Sequence, residues 1–256
     1  MKALIGHSGY VGTTLLGQQQ FDTLFRSTNI GDLAGGSYDL AICTAAPAQR
    51  WIAERDPEAD LANIDRLADA VTSIEADRFV LISTVDVYGV SAGMSETDEP
   101  APAGAYGRNR LHLENRVRAH FPDALIVRLP GLVGPGLRKN AIFDFRNDNA
   151  LHLIDARAVL QWYPMVNLSA DIATAQAAGL KLVNFAVEPV SLAEVAKACG
   201  RDFDNQVEGK TPAHYDMRSN HAAVFGGTGP YLYTKRESLL AVRAYAQSEP
   251  TSAAIA

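Results

Sequence analysis

An α/β chain built on a doubly wound parallel sheet is what this sequence predicts, and three observations carry the prediction. Four short apolar runs, at 3–5, 40–44, 79–83 and 125–129, read as strands buried on both faces. Helical stretches, notably 57–75 and 106–120, separate them, and strands alternating with helices make βαβ units. Three spaced glycines, Gly6, Gly9 and Gly12, join the first apolar run to an apolar helical stretch. Such a turn lets backbone approach a pyrophosphate, and the helix N-terminus behind it supplies N–H groups and positive dipole.

Taken in order, the first strand feeds Gly6, and Ser8, Tyr10 and Val11 fill the loop up to Gly12. The chain between Gly12 and Leu40 is compressed: 21–25 can supply a second strand, Arg26-Ser27-Thr28-Asn29 ends it, and there is little room for a full helix before Asp32. This corner of the sheet is expected to be abbreviated. Past residue 130 the pattern loosens, with Pro130, Gly131, Gly134, Pro135 and Gly136 marking a loop. A further strand is expected at 180–186, returning to the sheet, and Ser191 with Glu194 three residues on reads as a capping box opening a helix. Gly226-Gly227-Thr228-Gly229 lacks a preceding strand and reads as a loop, and the tail after Pro250 as frayed. The expected division is a dinucleotide-binding core over 1–132 and a small substrate lobe over 133–256 that does not fold independently.

The 256 residues are 47% hydrophobic and 20% charged, ordinary for a globular protein. A net charge of −6 disfavours an extended nucleic-acid or anionic-membrane surface. Two cysteines, Cys43 and Cys199, form no metal-ligand spacing and no disulfide framework, so no metal is expected. Met1-Lys2 leads straight into the first strand, without an export signal, and no apolar run reaches the ~18 residues of a membrane span. The expected location is the cytoplasm.

Two segments carry chemistry. Residues 79–89 form a strand ending in Ser83 and Thr84, followed by Asp86, Tyr88 and Gly89, and Tyr106-Gly-Arg-Asn-Arg110 opens a helix. A tyrosine and a cation four apart share a helix face. The cation favours the ionised phenol and lowers its pKa, while a strand-end hydroxyl holds a substrate oxygen as the tyrosine moves the proton.

In this order the segments resemble the extended short-chain dehydrogenase/reductase superfamily, in its branch of NAD-dependent epimerases, dehydratases and reductases of nucleotide sugars. Gly6-x-x-Gly9-x-x-Gly12 is similar to its cofactor loop, and Asp32-Leu33 to its adenine-contacting pair. Residues 39–46, ending in Thr44, Ala45 and Ala46, resemble the strand with small residues beside the cofactor. Asp56-Pro57 and Asn63 fall where the family has an Asp-Pro and a helix Asn. Residues 82–89 resemble the strand with the catalytic Ser or Thr, Tyr106-x-x-x-Arg110 the Tyr-x-x-x-Lys pair, and Arg128-Leu-Pro130-Gly131 the strand and loop after it.

The resemblance implies a Rossmann-like fold and an NAD(P)-dependent oxidoreductase or epimerase acting on a hydroxyl or carbonyl of a sugar nucleotide or related small molecule. It implies Thr84, Tyr106 and Arg110 as catalytic residues, with Tyr106, Arg110, Pro130 and Gly131 also touching cofactor. On the substrate side stand Asp86 and, among Arg138-Lys139-Asn140, Asn140 as the closer match. Gln161-Trp162-Tyr163 offers an aromatic wall or packing. Arg26 and Ser27 follow the second strand where an NAD site usually has an acid, so NADP is favoured over NAD. The family's dimers imply a homodimer through the helices near 57–75 and 106–120, with Leu111, Leu113 and Val117 as candidates for that face or for packing on the sheet.

Two departures bear on activity. Arg110 stands where the family has Lys, and its fork reaches differently from a compact ammonium. Val85 fills the first of two acidic slots that a dehydratase uses, which disfavours dehydration. The alternative reading is a catalytically impaired NAD(P)-binding protein serving as redox sensor or assembly factor.

Overall fold

The structure is a computed structural model that describes residues 1–89 and 92–251. The chain runs β1 (Lys2–Ile5), α1 (Tyr10–Gln18), β2 (Thr23–Phe25), β3 (Ser37–Tyr38), β4 (Leu40–Cys43), α2 (Arg50–Arg55), α3 (Pro57–Val71), β5 (Glu75–Ala76) and β6 (Phe79–Thr84). It continues through α4 (Ala105–His120), β7 (Leu125–Leu129), β8 (Gly131–Val133), α5 (Ala141–Asn147), β9 (Val159–Leu160) and β10 (Trp162–Pro164). Last come α6 (Leu168–Ala177), β11 (Leu182–Asn184), β12 (Val190–Ser191), α7 (Leu192–Ala198) and α8 (Lys235–Ser248).

Six strands form one parallel sheet in the order β11-β7-β6-β4-β1-β2. The doubly wound α/β fold is the one the apolar runs predict. In β4 all four residues are buried, and in β7 all five, because helices cover both faces of a parallel sheet. The direction of winding reverses between β1 and β4, which leaves a crevice outside their C-terminal ends.

The abbreviated corner is there. β2 spans three residues, two shorter than 21–25, because the Asp22 carboxylate instead accepts the Lys2 N–H at 2.6 Å. A 3-10 turn at Ile30–Leu33 replaces a helix, and β3 pairs only with β5, outside the main sheet. The helix expected over 57–75 ends at Val71, where the Thr72 hydroxyl bonds back to the Ala68 carbonyl at 2.8 Å. Ahead of it stands α2, over residues where no helix was expected. Asp56 divides the two helices, accepting the Ala59 N–H at 3.1 Å with Pro57 at the first helical position. The strand expected at 180–186 is β11, hydrogen-bonded to β7, and Ser191 and Glu194 make the expected capping box.

The chain divides into two compact units, Met1–Val90 with Glu96–Leu129 and Leu168–Asn184, and Ser91–Ser95 with Pro130–Asn167 and Phe185–Ala256. The first holds the whole six-stranded sheet. The second holds two small sheets, β8 with β10 and β9 with β12. In it Gln161, Trp162 and Tyr163 are all buried, so they are packing, with the Gln161 amide bound to the Met217 backbone. Gly226 closes a 3-10 turn in the left-handed conformation, and the stretch after it is a loop, as read. The frayed tail expected after Pro250 lies, from residue 252, outside the described residues. Among the described residues no helix is long and apolar enough to cross a membrane.

Candidate functional site

The glycine turn sits at the crevice between β1 and β4, and its three glycines serve different purposes. Gly6 has φ +93, and a Cβ on it would lie 2.6 Å from the Ala45 Cα. A Cβ on Gly12 would strike the Gly6 carbonyl. These two glycines are needed for the turn to close at all. Gly9 is different: it is the exposed N-cap of α1, no side chain caps the helix there, and the nearest atom to a Cβ would be 3.6 Å away. Ser8 beside it is exposed, and Tyr10 and Val11 open the helix. From the other side of the crevice the Thr44 hydroxyl donates to the Ile5 and Gly6 carbonyls, both at 3.1 Å, and Ala45 and Ala46 continue past it as half-buried small residues. Backbone therefore lines this edge, and its cradle fits a pyrophosphate.

Arg26 and Ser27 are exposed beyond the end of β2, where the Arg26 N–H donates to the Asn29 side chain at 2.7 Å. Asp32 is exposed in the 3-10 turn, whereas the Leu33 side chain is fully buried in the core. Asn63 is exposed on α3 and accepts from Arg66.

The second cluster gathers at the end of β6 and the start of α4. Thr84 ends β6 and accepts the Asp86 N–H at 3.2 Å. Gly107 has no room for a Cβ against the Asp86 carbonyl, so α4 lies close on the 85–88 turn. This brings the Tyr106 phenol near enough to the Thr84 hydroxyl for that hydroxyl to favour the ionised form. Asp86 is half-buried and paired with Arg50 at 3.2 Å. Arg110 lies one turn down α4, with its guanidinium carbon 4.2 Å from the Tyr106 ring centroid. The i,i+4 spacing thus puts the two on one face as expected, in a cation–π stack.

One expectation about this pair fails. The guanidinium does pull the Tyr106 ionisation down, but burial pushes it up more strongly, with Asp86 and Asp60 adding to the push. The phenol ends above its ordinary value because removing it from water penalises the charged form.

Three side chains here were missed in the sequence. Glu54, from α2, accepts the Ala105 and Tyr106 N–H groups at 3.0 and 3.2 Å and caps α4 in place of a side chain from its own N-cap, Gly104. Asp60, from α3, accepts from Arg110 and takes the Asn109 amide at 2.8 Å. Arg50, from α2, holds Asp86. All three lie in 50–60 (WIAERDPEAD follows Arg50), where ordinary helix-surface charge gives no signal.

On the neighbouring position of β6, Ser83 donates to Glu114 at 2.6 Å. Glu114 also takes Arg128 at 3.0 and 2.7 Å, and Arg128 donates to the Tyr88 hydroxyl at 2.7 Å, which reaches Asn184 at 3.1 Å. Arg128, within the Arg-Leu-Pro-Gly motif, is therefore a buried structural cation.

In the second unit Pro130 precedes β8, and Gly131 in it admits no Cβ against the Gln161 carbonyl and the Trp162 ring. Asn140 has φ +106 and caps α5, accepting the Ile142 N–H at 3.0 Å while its amide donates to the Leu132 carbonyl at 2.9 Å. Its side chain is thus engaged in holding its own loop. Of the residues offered for a dimer face, Leu113 and Val117 are buried in the core on the sheet and Leu111 is half-buried, while His112–Asp65 and Arg116–Asp69 pairs at 2.8 and 2.7 Å join α4 to α3. The apolar residues of α4 follow the sheet because that is where they lose most water.

Residues 32–153, a span that includes Thr84, Tyr106 and Arg110, match the family model of the RmlD substrate binding domain. No curated protein matches the chain. Solved structures do. RMD from Pseudomonas aeruginosa, complexed with NADPH, is 19% identical with a TM-score of 0.74, over 96% of this chain and 98% of that one. The dTDP-4-dehydrorhamnose reductase of Bacillus anthracis, in complex with NADP, is 17% identical with a TM-score of 0.76, over 97% and 98%. WbmG of Bordetella bronchiseptica, in complex with NAD and UDP, is 16% identical with a TM-score of 0.73, over 96% and 93%. The family model agrees with the resemblance to epimerases and reductases of sugar nucleotides, and the solved structures share the Rossmann-like α/β fold of this chain.

Proposed function

We propose that this chain is an NADP(H)-dependent oxidoreductase of the sugar-nucleotide reductase and epimerase kind, in which Tyr106 is the acid/base. The observation that carries the reading is Tyr106 standing beside Thr84 with Arg110 stacked on its ring, at the C-terminal end of β6, a strand of the sheet that holds the glycine crevice.

The cradle between β1 and β4 suits a dinucleotide. Gly6, Ser8, Gly9, Tyr10, Val11 and Gly12 would hold its pyrophosphate, with Thr44, Ala45 and Ala46 along the opposite edge. Arg26 and Ser27 would take a 2′-phosphate, which favours NADP over NAD. A bound nicotinamide supplies or accepts the hydride of the reaction. This chain's own residues handle the proton. Thr84 holds the substrate oxygen, and Tyr106 gives that oxygen its proton in reduction or takes it in oxidation. Asp86, beside Thr84, is the substrate-side residue nearest this chemistry. The matches to a substrate-binding domain and to a structure holding UDP support a sugar nucleotide as the substrate class.

The test follows nicotinamide absorbance over a panel of nucleoside-diphosphate keto-sugars and simple carbonyls. Oxidation of NADPH by one class of keto-sugar is the expected result. Tight NADPH binding with no turnover on any member overturns the enzyme reading and leaves a cofactor-binding protein.

A further inference from the structure

Arg110 is nearly sealed from water, with 2% of its side chain exposed, and Asp60 opposite it has 6%. A guanidinium that far from solvent needs a countercharge. One of its terminal nitrogens donates to the Asp60 carboxylate and the other to the Pro47 carbonyl, while Nε has no hydrogen-bond partner. The fork is therefore pinned at both tips, with the Tyr106 ring against its face. A lysine ammonium at the same place would be a compact charge free to turn on its stem; a fork held at two points is not. Asn109 braces the arrangement, giving one amide hydrogen to Asp60 and reaching the Pro57 carbonyl at 3.3 Å.

We propose that Asp60 is a positioning residue: from α3 it holds the Arg110 guanidinium against the face of the Tyr106 ring and offsets its charge, and so sets how readily Tyr106 gives up its proton. The groups around the phenol are few. α4 contributes Arg110, α3 contributes Asp60, and the turn after β6 contributes Asp86, itself paired with Arg50 of α2. β6 contributes the Thr84 hydroxyl, and Glu54 of α2 meets the Tyr106 backbone N–H. Of these, Asp60 alone both anchors the cation and opposes it. Removing its charge while keeping its shape leaves the phenol facing an uncompensated guanidinium, which favours the phenolate.

The proposal takes its catalytic meaning from Tyr106 as the proton-transfer group, but its test needs neither coenzyme nor turnover. The full chain, carrying tyrosine labelled with ¹³C at Cζ, is titrated by NMR, and the Tyr106 signal is identified by its loss in Tyr106→Phe. In Asp60→Asn the ionisation midpoint of Tyr106 moves to lower pH, and in Asp60→Glu it returns toward the parent. A carboxylate that only stabilises the fold would lower the melting temperature and leave the midpoint in place. A midpoint unmoved or raised in folded Asp60→Asn overturns the proposal. Where Asp60→Asn does not fold, the double variant Asp60→Asn/Arg110→Met, which leaves no buried charge unpaired, takes its place. A midpoint above the parent's supports the pair as the group that tunes Tyr106, and an unchanged one overturns it. No turnover with a moved midpoint sinks the enzyme reading and keeps this one; turnover with an unmoved midpoint does the reverse.

Discussion

The first unit contains the same set of groups twice. At Tyr106 a phenol lies over an arginine, the arginine pairs with an acid, and a hydroxyl from β6 stands beside them: Arg110, Asp60 and Thr84. At Tyr88 the set is Arg128, Glu114 and Ser83, with the guanidinium carbon 4.8 Å from the ring. The two hydroxyls are adjacent on one strand and take part in different clusters, as pleating sends alternate side chains to opposite faces. The difference lies in completion. Around Tyr88 every nitrogen of Arg128 has a partner, and the phenol both accepts from Arg128 and donates to Asn184. Around Tyr106 the ring is part-exposed, and Arg110 keeps one nitrogen unpartnered. A buried polar network that is fully satisfied holds structure, and one left open on one side has capacity for a ligand.

The largest expected effect tests the closed cluster. Glu114→Ala strands the Arg128 charge and should cost about 3–5 kcal/mol in urea unfolding. A loss under ~1 kcal/mol would mean the cluster is not the sealed ion pair described.

Next comes the pair of phenols. Tyr106→Phe should lower turnover by at least ~100-fold with coenzyme affinity kept. Tyr88→Phe should instead cost stability, about 1–3 kcal/mol for an orphaned buried partner, with turnover kept. If both variants lost turnover equally, the contrast between open and closed clusters would collapse.

The glycine turn repeats the contrast in backbone. Gly9→Val should fold normally and bind NADPH at least ~10-fold more weakly by calorimetry, since its Cβ makes only an ordinary 3.6 Å contact with the Gly6 carbonyl and stands where the pyrophosphate would approach. Gly12→Val should fail on stability first, because its Cβ meets the Gly6 carbonyl. Unchanged affinity in folded Gly9→Val would move the cofactor elsewhere.

The smallest effect is in pH. Burial holds both Tyr88 and Tyr106 above their ordinary 10.0. The folded chain then keeps protons that the unfolded chain releases, so stability is full below pH 10 and falls as pH rises toward the folded-state ionisations. Replacing either phenol with phenylalanine should flatten that fall in urea midpoints between about pH 9 and 11. A steeper fall in Tyr106→Phe would contradict the direction assigned to Tyr106.

Local pattern alone determined a good deal. The apolar runs placed β1, β4, β6 and β7, because strands covered on both faces must be continuously apolar. The glycine spacing placed the turn, and the i,i+4 rule placed Tyr106 over Arg110. Ser191 and Glu194 announced their own cap because both partners lie within one helical turn. Leu113 and Val117 were legible as an apolar face but not as to what covers it.

What the tertiary structure decided lies at long range. Asp60 reaches Arg110 across 50 positions, Glu54 caps Tyr106 across 52, and Arg50 holds Asp86 across 36. No local signal marks these residues, since an acid on a helix looks the same whether it faces water or a buried guanidinium. The sign of the Tyr106 shift went the same way. Spacing supplied the cation, but desolvation outweighs it, and desolvation depends on everything packed around the ring. Sequence specifies neighbours along a helix or strand; the water excluded from a site, and the charges that replace it, come from elements brought together only by folding.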